Sequence, residues 1–314
     1  KNTLIYSLTT LTDYSYTYFK YIDDVDFCVF PSEYFINFIK DENKVILGTG
    51  GQHTKQVVAK TVEAISKNKN KVRNTRYIFF KKDLTKTFTK EFEEYSVDWF
   101  IHSAAHHKIN DFKNMPIVKK NYNQGMVDNI VKLCKKKNIR NLIFFSTIDI
   151  NFEQKNKKKK LYIKSKINSE KKLIKSFNKN FFDKLVILRL PAIIGKNCND
   201  NFLKTTYKKL TKNKKIKIWN PSIKYDNFVH IHDVNKLIEK IVNIKKSSFF
   251  EIIECKSSKP IKLIELIIFL KKKLKSKSKI QFLKSDPNKK IKVIKNNVNY
   301  SFLSTLRAIK IFSL

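Results

Sequence analysis

Short apolar runs alternate with segments of helical period from the start of the chain to about residue 275, and this alternation constrains the fold more than any other feature. The runs at 4–6, 27–30, 44–47, 76–80, 99–102, 141–145 and 185–190 have the length and composition of buried strands. Between them, residues 55–66, 87–95, 118–136 and 162–176 carry apolar side chains at the spacing of one helix face. Such alternation predicts an α/β fold, a doubly wound, mostly parallel sheet of Rossmann type wrapped by helices. Beyond Pro191 the alternation loosens, and the helical segments 202–210 and 260–274 predict a smaller C-terminal lobe. The lysine run at 155–160 reads as a solvated loop.

A formal net charge of +39 would ordinarily point to a polyanion. The composition argues against nucleic acid: only five of the 66 basic residues are Arg, the residue favoured for bidentate phosphate and base-edge contacts. Lys, Asn, Ile and Phe are inflated together, as drift towards A- and T-rich codons would produce. No stretch approaches eighteen consecutive apolar residues, and the start lacks a secretory pattern, so a cytoplasmic protein without a membrane partner is expected. Cys28, Cys134, Cys198 and Cys255 lie far apart, which fits reduced packing thiols. His102, His106, His107, His230 and His232 invite a metal reading, but a zinc site needs convergent ligands with a second shell, which proximity in sequence does not show, and no metal is expected.

Chemistry enters with the glycines. The chain has five, and three of them (Gly48, Gly50, Gly51) follow the apolar run 45–47 in the sequence GTGGQHT. Strand, glycine cluster, then a helical segment is the context in which backbone amides and a helix N-terminus face a dinucleotide pyrophosphate. Thr54 stands where the third glycine would be in the spacing Gly48-x-x-Gly51-x-x-Gly. A second motif, Tyr162-Ile-Lys-Ser-Lys166, puts a phenol and an ammonium on one helix face. The ammonium is expected to favour the phenolate, so the tyrosine can move a proton while a hydride moves to or from nicotinamide. Upstream, Leu142-Ile-Phe-Phe-Ser-Thr147 delivers a hydroxyl pair at the carboxyl end of a strand, where ligands bind in open α/β sheets.

These motifs in this order, with Ile101-His-Ser-Ala-Ala105 before them and Leu188-Arg-Leu-Pro-Ala-Ile-Ile-Gly195 and Asn227-Phe-Val-His-Ile-His-Asp-Val234 after, resemble the extended short-chain dehydrogenase/reductase family. The likeness is to its nucleotide-sugar epimerases, 4,6-dehydratases and 4-keto reductases, and it covers residues 44–275. It implies an NAD(P)-dependent enzyme acting on a nucleotide sugar, as a C4 epimerase or keto-sugar reductase in surface-polysaccharide synthesis; the alternative is a non-catalytic relative that binds a nucleotide or a partner. Asp149 stands one place later than the acid of the dehydratases, which argues against 4,6-dehydration.

Carried over residue by residue, the resemblance makes Thr147 the hydroxyl on the reacting sugar oxygen, with Ser146 as the alternative, Tyr162 the acid/base and Lys166 its partner. Gly48, Gly50 and Gly51 would face the pyrophosphate, Ala104 and Ala105 the adenosine-side wall, Asp83 and Leu84 the adenine. Asn123 would sit in the helix behind the site. Asn201, Lys204, Trp219 and Lys224 would contact the nucleotide diphosphate, and the helix at 118–136 is one that pairs between subunits of family homodimers. The implied domains are 44–190 for the dinucleotide and 191–314 for the substrate, with 1–43 an N-terminal α/β extension. A rival register makes 4–6 the first strand and leaves its loop, residues 7–13, without glycine. The Gly48 register is preferred because a retained glycine is the more informative signal.

Overall fold

The structure, a computed structural model, describes residues 3–8, 44–49, 76–81, 97–103, 105, 122–151, 157–195, 201–283 and 302–311. The chain divides into two compact units, Lys1–Arg189 with Asn235–Ile253, and Leu190–Val234 with Glu254–Leu314.

The first unit is built on a seven-stranded sheet. Its strands are β1 (Thr3–Leu8), β2 (Lys44–Thr49), β3 (Arg76–Lys81), β4 (Trp99–His102), β5 (Asn141–Thr147) and β6 (Lys184–Leu190), joined by a seventh, Phe249–Glu254, from late in the chain. The spatial order runs from the seventh strand through β6, β5, β4, β1 and β2 to β3. The pairs β1–β2, β2–β3, β1–β4 and β4–β5 are parallel. The order reverses at β1, so the switch point of a Rossmann-type sheet lies between β1 and β4.

That topology corrects two expectations. Residues 3–8 belong to the sheet itself: β1 pairs with both β2 and β4 near its centre. Gly48 therefore lies near the end of the second strand, opposite Ser7 of β1 and Phe80 of β3, and the first strand of the sheet is β1. The glycine cluster misled because a glycine-rich turn can follow any strand, whereas strand order depends on pairing across the sheet. The expected strand 27–30 and helices 55–66 and 87–95 lie outside the described residues.

Two helices, α1 (Tyr122–Lys136) and α2 (Lys157–Asn178), pack on one face of this sheet. Val127, Ile130, Leu133 and Cys134 of α1 and Leu173 of α2 meet Phe100, Leu142, Phe144, Leu185 and Ile187. The strand residues are spaced by two, as the pleat requires for one face. The run at 155–160 is not all loop: α2 begins at Lys157, consistent with lysine being a good helix former.

The second unit contains β7 (Ala192–Ile194), α3 (Phe202–Thr211), β8 (Ile216–Trp219), β9 (Lys224–Tyr225), β10 (Phe228–His230) and the start of α4 (Ile231–Val242). After the seventh sheet strand, which is β11, it continues with β12 (Ile261–Lys262), α5 (Leu263–Lys273), β13 (Ile280–Leu283) and α6 (Thr305–Ile311). Three two-stranded sheets, β7–β10, β9–β12 and β8–β13, surround a core of Leu203, Leu210, Ile216, Ile218, Phe228, Leu266, Ile267, Leu270 and Ile309. Among the described residues no helix is long and apolar enough to cross a membrane.

Candidate active site

Strand alternation sorts the hydroxyl pair at the end of β5. Ser146 shares the parity of Leu142 and Phe144, and so the face covered by α2. Its hydroxyl donates to Glu170 Oε1 of α2 at 2.5 Å. Glu170 is held in turn by Arg189 of β6, whose Nε and Nη2 donate to Oε1 at 3.2 Å and Oε2 at 2.7 Å. Arg189 Nη1 also reaches Asn151 Oδ1 at 3.5 Å. Ser146 is thus tied into a buried ionic network.

Thr147 has the other parity. Its Oγ1 accepts from the Asp149 amide at 3.2 Å, in the 3₁₀ turn Ile148–Asn151 that follows β5. Asp149 also acts on Tyr162: burial first, and then the Asp149 carboxylate, hold the half-buried phenol above its ordinary pKa. Both favour the protonated form. The expected lowering by Lys166 is not what this geometry gives. Lys166, only 2 % exposed, turns its Nζ to the Phe145 carbonyl at 2.7 Å, over the Phe144 ring at 4.7 Å. Burial pulls its pKa down to about 7, against the opposing pull of Glu170 one turn along the helix. His102 at the end of β4 stacks on Phe144 at 5.4 Å, and burial and then the Lys166 charge hold its pKa well below the usual value.

The backbone around Tyr162 is anchored from α1. Asn123 Nδ2 donates to Ser165 Oγ at 2.9 Å, and that hydroxyl donates to the Tyr162 carbonyl at 2.6 Å. The YxxxK turn is therefore fixed by a side chain 42 residues away in sequence.

Of the expected cofactor contacts, Gly48 is the penultimate residue of β2 and Ala105 is half-buried three residues beyond β4. Gly50, Gly51, Asp83, Leu84 and Ala104 lie outside the described residues. In the second unit Asn201 caps α3: its side chain accepts from the Lys204 amide at 2.9 Å. Lys224 is exposed on β9 opposite Lys262, and Trp219 ends β8 opposite Leu283 with 53 % of its surface exposed. Phe202 stacks against Tyr225 at 5.6 Å, which brings the start of α3 beside β9. Among the described residues no group of three His, Cys, Asp or Glu could hold a metal ion.

The reading of the sequence overlooked Glu170 and Arg189. A signal was present for each: Glu170 is the single acid of α2, among nine lysines, and Arg189 is one of five arginines, set in an apolar strand.

The sequence model of the NAD dependent epimerase/dehydratase family matches residues 48–250. This chain belongs to the NAD-dependent epimerase/dehydratase family. Solved structures of similar fold include the UDP-N-acetylglucosamine 4-epimerase of Methanobrevibacter ruminantium M1, at 16 % identity and TM-score 0.63 over 99 % of this chain and 91 % of that one. The dTDP-glucose 4,6-dehydratase of Streptomyces venezuelae aligns at 13 % identity and TM-score 0.66, over 98 % and 94 %. The UDP-glucose-4-epimerase of Stenotrophomonas maltophila aligns at 11 % and 0.64, over 99 % and 92 %. At such identities the likeness is one of fold. No curated protein sequence matches the chain.

The cofactor of this epimerase/dehydratase family is a nicotinamide dinucleotide. The donor set at the end of β5 fits its reactive end: a hydroxyl on Thr147, a protonated phenol on Tyr162 and an amine on Lys166, with protein packed around each.

Proposed function

We propose that this family member is an NAD(P)-dependent nucleotide-sugar epimerase or keto-sugar reductase. One observation carries the reading: a strand-end threonine and a YxxxK helix meet at Asp149, whose amide holds the Thr147 oxygen while burial, and then its charge, favour the protonated form of Tyr162. A protonated phenol is the acid that a keto group needs as it becomes an alcohol, and the same oxygen receives the proton in the reverse direction. The bound dinucleotide supplies the hydride donor and acceptor.

The chain's own residues do the rest. Thr147 presents its hydroxyl to the reacting sugar oxygen and orients it. Tyr162 gives or takes the proton at its phenol oxygen. Lys166 supplies positive charge and hydrogen-bond donors to the ribose hydroxyls and to the phenolate that follows proton loss. The similar structures support the substrate class: the Methanobrevibacter epimerase was solved with UDP-N-acetylmuramic acid and the Stenotrophomonas enzyme with NAD and a formylated UDP-arabinopyranose.

The test is incubation of the full chain and NAD(P)H or NAD(P)+ with a panel of UDP-, GDP- and dTDP-sugars, products being followed by NMR. Tyr162→Phe is expected to lower turnover by about 10²- to 10⁴-fold while leaving NADH fluorescence titration within a few-fold of the parent. A phenylalanine variant that turns over like the parent removes Tyr162 from the chemistry, and a chain that neither binds NADH nor converts any sugar is the non-catalytic relative instead.

A further inference from the structure

The chemistry assigned above uses Thr147, Tyr162 and Lys166, yet the most connected polar group in this part of the fold is another residue. Glu170 lies one turn beyond Lys166 on α2, with its side-chain carboxylate 5 % exposed. It accepts from Ser146 Oγ at 2.5 Å and from two nitrogens of Arg189. A buried carboxylate costs several kcal/mol to desolvate unless it is paired and hydrogen-bonded, and here three donors satisfy it. The fork of Arg189 fixes the plane of the carboxylate, and Ser146 fixes its end.

The neighbour that needs this charge is Lys166. Its ammonium has the Phe145 carbonyl and the Phe144 ring beside it. An amine so enclosed tends to lose its proton, and the charge that opposes the loss is that of Glu170, one turn along α2. We propose that Glu170, clamped by Arg189 and Ser146, is a positioning residue of the proposed site: it holds the negative charge one helical turn from Lys166, so that this buried amine remains an ammonium when a dinucleotide is bound.

The other groups facing Lys166 leave that role to Glu170. From β4 comes His102, neutral through the working range and unfavourable to a positive Lys166 when protonated. From α2 comes Tyr162, held protonated by burial and by Asp149 of the 3₁₀ turn. From β6 comes Arg189, already bound to Glu170. Between α1 and α2 the pair Asp128–Lys172 is part-exposed and self-neutralising, and Cys134 of α1 is a buried, protonated thiol. Among the described residues, Glu170 is the one whose charge favours the ammonium.

This inference rests on the proposed dinucleotide site, and the experiment separates the two. NADH is titrated by fluorescence into the full chain from pH 6 to 10. The parent should bind more weakly as pH rises through the titration of Lys166, near 7 in the free protein and higher with NADH bound, and Lys166→Met should bind weakly with no such midpoint. Glu170→Gln should move the midpoint down by about one pH unit. Arg189→Lys, which keeps a cation but cannot fork, leaves the Glu170 charge less neutralised and should move it up. Opposite shifts are what a merely structural role does not produce. If Glu170→Gln does not fold, an upward shift in Arg189→Lys supports the proposal, and an unchanged or lowered midpoint overturns it. If the parent shows a Lys166-dependent midpoint that neither variant moves, the role of Glu170 is wrong and the dinucleotide site stands. If parent and Lys166→Met bind NADH alike at every pH, both fall.

Discussion

Two adjacent hydroxyls on β5 are chemically alike, and only the pleat tells them apart. Ser146 faces α2 and is bound to Glu170, whereas Thr147 faces the other way and has its oxygen held by a backbone amide. The two substitutions should separate cleanly. Ser146→Ala is expected to lower stability by about 1 to 2 kcal/mol, because the buried Glu170 loses one of its donors, while turnover on the responding nucleotide sugar stays within a few-fold. Thr147→Val keeps the shape and removes the hydroxyl; turnover should fall by about a hundredfold or more with little change in the urea midpoint. The reverse pattern would make Ser146 the substrate-facing hydroxyl. Sequence alone named both residues in one breath, since the order of a Ser-Thr pair says nothing about which face of the sheet a helix will later cover. It did expose Tyr162 and Lys166, whose spacing is a property of the helix itself. It could not foresee that Lys166 points at the Phe145 carbonyl, or that Asp149 is the charge acting on the phenol, because both depend on how α2 lies against β5.

At the scale of elements, a glycine-poor chain has to find other residues for positions where glycine is favoured. Asn138, Asn180 and Asn213 follow α1, α2 and α3 with φ of 52°, 58° and 52°, taking the left-handed place that glycine commonly fills after a helix. After α5 the place falls to Lys275 at φ 49°, which lacks the local hydrogen bonding that eases asparagine there. Meanwhile Gly125 sits inside α1 with nothing within 4 Å of where a Cβ would stand. Gly125→Ala and Lys275→Gly should therefore each raise stability, by about 0.5 to 1 kcal/mol and about 1 kcal/mol, read as higher urea midpoints. Gly195 is the contrast: a Cβ there would stand 2.7 Å from Ile231 Cγ2, on a stiff β-branched side chain, and Gly195→Ala should cost about 1 to 3 kcal/mol. Elements were legible where pattern and burial agree. Strands β3 to β6 and helices α1 to α3 and α5 fall on the apolar runs and helical periods of the sequence. The short pairs of the second unit were not, because two- to four-residue strands such as β9 and β12 have too few positions to show a period. The place of β1 was weighed and ranked second, since a strand's neighbours are not written in its own residues.

At the scale of the whole molecule, the high charge hides a second and more local dependence on pH. His102 is 2 % exposed and burial, helped by Lys166, keeps it neutral well below its ordinary pKa. In the unfolded chain it protonates near pH 6.5 while in the folded chain it does not, so the unfolded state binds the extra proton and stability falls as pH drops below that value. The loss is at most about 1.4 kcal/mol per pH unit, or about 2 kcal/mol between pH 6.5 and 5. His230 in the second unit behaves in the same sense: burial and then His232 lower it to about 4, so its effect spans 6.5 down to about 4. Lys166 acts in a separate window, above pH 7, where stability rises with pH until the unfolded amine also loses its proton. The two tryptophans make the first unit separable, because Trp99 is buried in β4 of that unit whereas Trp219 is exposed in the other. Urea unfolding followed by the red shift of Trp99 should show a midpoint that declines from pH 7 to pH 5. His102→Phe keeps a ring against Phe144 and removes the titration, and it should flatten that decline even though the general repulsion of a +39 chain is unchanged. A decline of the same slope in His102→Phe would assign acid lability to the overall charge and not to the buried imidazole.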